Sequence, residues 1–152
     1  MEKVLQYKLT NITSLEYKIV DKETGFFIPD DVCEVNSSLT LNFMDQTEEV
    51  IFLYTVKYVD KRSMEDLMHF QAKIVFRVID FNNAFSKHNN IVNVPDVLLH
   101  SLIPIVIGAV RGMLALKNKG TYLQEIYLPI FNTADIVEGI KLQVTQKTQP
   151  SI

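Results

Sequence analysis

Three stretches of the chain alternate apolar and polar residues with a period of two. SSLTLNF puts Leu39, Leu41 and Phe43 on one side, and EEVIFLYTVKYVD does the same with Phe52, Tyr54, Val56 and Tyr58. HFQAKIVFRVIDF sets Phe70, Ala72, Ile74, Phe76 and Val78 against Gln71, Lys73, Val75, Arg77 and Ile79. Successive strand side chains point to opposite faces, so these stretches predict strands. The half-polar face of the first predicts an antiparallel sheet with one side toward water. The opening QYKLTNITSLEYKIV predicts one long strand, or a strand pair broken near Asn11.

The period changes in DVLLHSLIPIVIGAVRGMLALKNKG, Asp96 to Gly120. Arg111 is the one residue fully charged at neutral pH between Asp96 and Lys117, and Gly108 and Gly112 are spaced G-x-x-x-G. By length the run suits a membrane span, which takes about 20 apolar residues, and G-x-x-x-G packs spanning helices. Charge placement argues against it. Lys117 and Lys119 belong on the cytoplasmic side, which would send the strand-rich residues across the membrane with no signal sequence before them.

A packing helix explains more of the run. From Ile105 to Asn118 one stripe holds Val106, Ile107, Val110, Met113 and Leu114; a second face holds Ile105, Ala109, Gly112 and Leu116. Two apolar faces imply two partners, the chain's own sheet and a closely approaching helix of another subunit. Interior glycines each cost about 1 kcal/mol relative to alanine, and close packing would offset that. Pro104 suits a helix start or kink and Pro95 an earlier first-turn position, while Lys117, Lys119 and Gly120 suit the helix end.

Two connections are too apolar for ordinary loops. DKETGFFIPDDVCEVNS has the turn residues Gly25 and Pro29 and yet holds Phe26, Phe27 and Ile28. TYLQEIYLPIFN holds Tyr122, Leu123, Ile126, Tyr127, Leu128, Ile130 and Phe131. Such side chains either plug the core or face a ligand. Asn132 or Thr133 then caps a final helix in which Ile136, Val137, Ile140 and Val144 share a face. Strands followed by helices predict an α+β domain over residues 1–146, with a flexible tail at 147–152.

Composition narrows the function classes. With 47% apolar and 22% charged residues in 152, the chain can bury one core and is not disordered. A net charge of −3 supplies no basic field for nucleic acid. Cys33 is the single cysteine, which excludes an internal disulfide and a cysteine-based zinc site and fits a reducing compartment, the cytoplasm. His69, His88 and His100 lie in unlike contexts without ligand spacing, and His100 suits a core or interface position. No phosphate-binding glycine loop is present, and the methionines form no stripe. The expectation is a non-enzyme without metal or cofactor.

Strands, then a helix containing Arg111 and ending in KNKG, then IYLPIFNTADIV leading into a last helix: this order resembles the SecB family of export chaperones. LQYKLTNITSLEYKIV resembles that family's first strand. The specific part spans Arg111 to Val137, and it departs from the family's pattern at Tyr122-Leu123, where a Pro-Pro is common, and in the order Pro129-Ile130-Phe131-Asn132. The resemblance implies a four-stranded antiparallel sheet with a long helix and a shorter C-terminal helix packed on one face, assembled as a homotetramer, a dimer of dimers, through the long helix. It implies a holdase that takes unfolded polypeptides or preproteins into apolar grooves, with Phe26, Phe27 and Ile28 on one side and Tyr122, Leu123, Ile126 and Tyr127 on the other. Family members pass clients to the SecA motor through an acidic sheet surface. Two other functions suit the same grooves: an interaction protein dedicated to one toxin–antitoxin or secretion partner, and a small-ligand-binding protein.

Overall fold

A computed structural model describes residues 6–79, 86–88, 91–93 and 95–148. Strands β1 (Tyr7–Ile19), β2 (Cys33–Met44), β3 (Glu49–Asp60) and β4 (Glu65–Val78) form one antiparallel sheet in the order β1-β4-β3-β2. A small hairpin, β5 (Ser86–His88) and β6 (Ile91–Asn93), precedes helix α1 (Asp96–Lys117), and α2 (Thr133–Thr148) closes the chain. This is the α+β arrangement expected from the sequence, a four-stranded antiparallel sheet followed by a long helix and a shorter C-terminal one. The expected domain boundary at residue 146 falls inside α2, and residues 149–152, like the side chain of Val144, lie outside the described residues.

The alternation sorts as expected. Phe52, Val56, Tyr58, Phe70, Ala72 and Ile74 are fully buried, and Phe52 meets Phe76 edge to face at 5.7 Å between centroids. The opening segment is one strand, whose register against β4 slips at Thr10 and again at Leu15. The first slip is the break anticipated near Asn11, and it is a bulge rather than a turn.

Helix α1 starts at Asp96 behind Pro95, well ahead of Ile105, and runs through Pro104. Proline removes one backbone N–H and crowds the carbonyl four residues back, here that of His100. Pro104 and His100 are both on the exposed side, so water can reach that carbonyl. His100 is therefore a surface residue, not a core one. Leu98, Leu102, Val106, Val110 and Leu114 face the sheet and are buried, and Met113 is half-buried beside them. The apolar run thus covers the domain's own sheet, although by length and composition it would also pass for a span. Asn132 caps α2, its Oδ1 accepting from the Ala134 N–H at 3.0 Å, and Val137 and Ile140 complete the core.

The β3–β4 turn closes when the Met64 N–H donates to the Asp60 carbonyl at 2.7 Å, with Met64 at φ 61°. Met64 is 70% exposed and the left-handed conformation is unfavourable for a side-chain-bearing residue by roughly 1–2 kcal/mol, against roughly 0.5–1 kcal/mol for the extra freedom a glycine loses. Met64→Gly is expected to raise the melting temperature by about 1–4 °C. A lower melting temperature in calorimetry would show that Met64 contributes more than its backbone strain suggests.

Candidate functional site

Strands β1 and β2 occupy opposite edges of the sheet, and both meet residues 20–32 at the end where β3 turns into β4: Ile19 is opposite Met68, and Cys33 is opposite Asp60. The connection must therefore cross that end. The loop between the helices returns to the same place and is fixed there by tyrosines. Tyr17 donates its hydroxyl to Asn118 Oδ1 at 2.8 Å, which satisfies a side chain only 2% exposed at the end of α1. Tyr58 donates to the Ile126 carbonyl at 3.0 Å, and Tyr122 to the Val20 carbonyl at 2.5 Å. Arg111, the lone charge of the apolar run, donates to the Pro129 carbonyl at 3.1 Å and so holds the far end of the loop.

The two apolar loops touch. Phe26 and Tyr122 stack edge to face, 5.1 Å between centroids, and Lys22 lies over the Phe26 ring while paired with Glu65. Beside them opens a groove of about 360 Å³ lined by Ile19, Val20, Gly25, Phe26 and Tyr122, with Asp21 and Glu23 at its walls. The seven residues named from the sequence divide by depth. Ile28, Leu123 and Ile126 are buried in the domain core; Phe26 and Tyr122 are half-buried; Phe27 is 73% and Tyr127 55% exposed. Sequence reasoning passed over Ile130, 96% exposed in the second loop, and the Tyr17–Asn118 contact. Ile130 was visible in the sequence as part of an apolar loop but carried no sign of which way it pointed.

The second face of α1 is open. Ile105, Gly112 and Leu116 are exposed and Ala109 is half-buried, and a side chain built at Gly108 or Gly112 would meet nothing within 4 Å.

Burial raises the Cys33 thiol to about 11, leaving it protonated at neutral pH, and no three potential ligands among the described residues are placed to hold a metal.

No family model matches the chain, and no curated protein matches it in sequence. Among solved structures, the SecB-like chaperone Rv1957 of Mycobacterium tuberculosis, in complex with a ChAD peptide from the Rv1956 HigA1 antitoxin, aligns over 83% of this chain and 88% of that one. The identity is 7% and the TM-score 0.47. A protein of unknown function from Streptococcus agalactiae aligns over 86% of this chain and 100% of that one, with 11% identity and a TM-score of 0.29.

The tyrosines make the fold sensitive to alkali. Burial raises the pKa of Tyr17, Tyr54 and Tyr58, and it lifts Tyr122 to about 12. A folded pKa above the unfolded value of about 10 means that the stabilisation is complete below pH 10 and is lost as pH climbs toward the folded values. The urea midpoint is expected to be insensitive to these groups up to about pH 9 and to fall from about pH 10 upward. A midpoint unchanged to pH 11.5, a limit set by the size of these shifts and roughly where titration should be advanced, would contradict the burial of these hydroxyls.

Proposed function

We propose that the chain holds unfolded polypeptide in the cytoplasm in the manner of the SecB family, without nucleotide, metal or bond chemistry. The observation that carries this is the junction of the two loops. Phe26 and Tyr122, far apart in sequence, pack ring to ring beside a groove, and Phe27 and Tyr127, one from each loop, stand largely exposed. Bulky apolar side chains left in water on a folded domain mark a binding surface when they gather. Contacts of this kind discriminate little among apolar segments, as a holder of many clients requires. In this proposal Phe26, Phe27, Tyr122 and Tyr127 touch the client, while Ile28, Leu123 and Ile126 anchor the loops that present them.

The proposal includes assembly as the homotetramer of that family through the outer face of α1, Ile105, Ala109, Gly112 and Leu116. Supporting it, two helix-interior glycines that each cost about 1 kcal/mol face open space, so no contact among the described residues explains them. Several copies would also add avidity for one long client. SecA is left out of this proposal. On the sheet face turned away from the helices, the acids Glu16, Glu34, Glu49 and Asp66 are balanced by Lys8, Lys18, Lys57, Lys73 and Arg77, with Glu16 paired to Lys18, Asp66 to Lys57 and Arg77 to Glu48.

Gly112→Leu keeps the single chain folded, since the new side chain has room and favours helix, yet it should break close packing on that face. Light scattering is expected to give a smaller particle for this variant; an unchanged mass, or a monomeric parent protein, would remove α1 from the assembly surface.

The client reading is tested with purified protein and a slow-refolding client presented unfolded and native. Selective binding of the unfolded form, with refolding delayed, is expected. The double variant Phe27→Ser and Tyr127→Ser should bind at least about tenfold more weakly, since each ring loses roughly 1.5–3 kcal/mol of burial on binding, only part of which a client recovers elsewhere. Binding by the double variant equal to that of the parent would refute the site. Failure to bind several unfolded clients would instead favour a single dedicated partner.

A further inference from the structure

Phe26 lies in a connecting loop, yet its ring is held by two partners. The Phe26 N–H donates to the Glu23 carbonyl at 3.0 Å, and Gly25, at φ 86°, sits in the turn that brings the ring back toward Lys22. One partner is Tyr122, 5.1 Å away between centroids and itself fixed by its hydroxyl on the Val20 carbonyl. The other is the Lys22 ammonium, 5.1 Å from the centre of the Phe26 ring. An ammonium over an aromatic face is attracted by the ring's electrons, and more strongly as water is excluded.

Lys22 is rooted as well as placed. Its side chain is 20% exposed, and its ammonium pairs with Glu65, the first residue of β4. β4 is an inner strand, bonded to both β1 and β3, so the carboxylate belongs to the sheet and the ring to the loop. Glu65 is also near enough to Tyr122 to add to the burial that raises its hydroxyl pKa. Lysine, carboxylate and the two rings form one cluster at the groove. A partly exposed ion pair adds little to the stability of a fold. What this one does is geometric: it ties a loop ring to a strand. A side chain that must be ordered when a partner arrives weakens binding, and one ordered beforehand does not.

We infer that Lys22 is a positioning residue of the client site: anchored by Glu65, its ammonium holds the Phe26 ring against Tyr122 before a client arrives. This rests on the proposal that the chain holds unfolded polypeptide. It gives the lysine a task distinct from that of Phe27 and Tyr127, which meet the client themselves, since Lys22 acts through Phe26.

Lys22→Met keeps the apolar stem and removes the charge, and Lys22→Arg keeps a cation able to serve both carboxylate and ring. In the free protein, the nuclear Overhauser contact between the Phe26 and Tyr122 rings is expected to weaken in Lys22→Met and to persist in Lys22→Arg. The probe client is reduced and alkylated serum albumin, which stays unfolded. Lys22→Met should bind it about threefold to tenfold more weakly, the cost of ordering one ring on binding, and Lys22→Arg within about twofold of the parent. The melting temperature should fall by no more than about 5 °C in either variant. The deciding measurement uses a Phe26→Leu background, in which Lys22→Met should weaken binding no further, because the ring it acts on is gone. Equal losses with and without that ring would mean that Lys22 touches the client or acts by its charge alone, and would overturn the inference. So would ring contacts unchanged in Lys22→Met. If that variant binds like the parent while Phe27→Ser with Tyr127→Ser does not, client holding stands and the role of Lys22 is wrong. If the parent binds neither this chain nor other unfolded clients, both fail.

Discussion

Because β1 and β2 sit on opposite edges of the sheet, residues 20–32 must cross its end, and most of the molecule's surface chemistry depends on that crossing. A crossing loop cannot form ladder hydrogen bonds and needs other anchors. Ile28 supplies one by entering the core, and the Val32 carbonyl supplies another by accepting from the Lys61 N–H at 2.9 Å. The interhelical loop is drawn to the same end because α1 is fixed there through Tyr17 and Asn118. Two segments about a hundred residues apart are thereby held ring against ring, and neither could hold its aromatic groups in place alone.

Within each loop, the apolar side chains are split between inside and outside. Ile126 and Leu128 are buried around an exposed Tyr127, and Phe27 points out between the half-buried Phe26 and the buried Ile28. An apolar loop is thus neither all plug nor all surface. The buried members stabilise the loop by removing apolar area from water, and their anchoring is what makes it possible to leave the others exposed.

This split marks how far the sequence could be followed. Alternation identified the bodies of β2, β3 and β4, because a half-buried strand imposes its period directly on the side chains, but β2 begins at Cys33, inside the segment read as a loop, and β4 at Glu65, ahead of His69. It carried no information on strand order, since a strand at an edge and one in the centre alternate alike; the crossing, and so the meeting of the loops, was not legible. Pro104 left open whether α1 starts or kinks there; the helix runs on from Asp96, because on a solvent-facing position water can reach the carbonyl that loses its hydrogen bond. Arg111, the one charge within the apolar run, finds a partner in the Pro129 carbonyl, a contact that nothing in the sequence announced. Asn118 and Tyr17 gave no signal at all: a polar residue buried for one hydrogen bond looks, in sequence, like any residue at a helix end.

The exposed surfaces differ in texture as well as in place. The outer face of α1 is flat and small, with Gly108, Ala109 and Gly112 between Ile105 and Leu116, which suits a rigid helix approaching closely and repeating the same contact. The loop junction is bulky and aromatic, with Phe26 and Tyr122 packed ring to ring and Phe27 and Tyr127 exposed on the two loops. Assembly needs a surface that discriminates, and holding an unfolded chain needs surfaces that do not. In the proposed function, small residues on one element and aromatic rings on another let assembly and client holding proceed without competition for the same contacts.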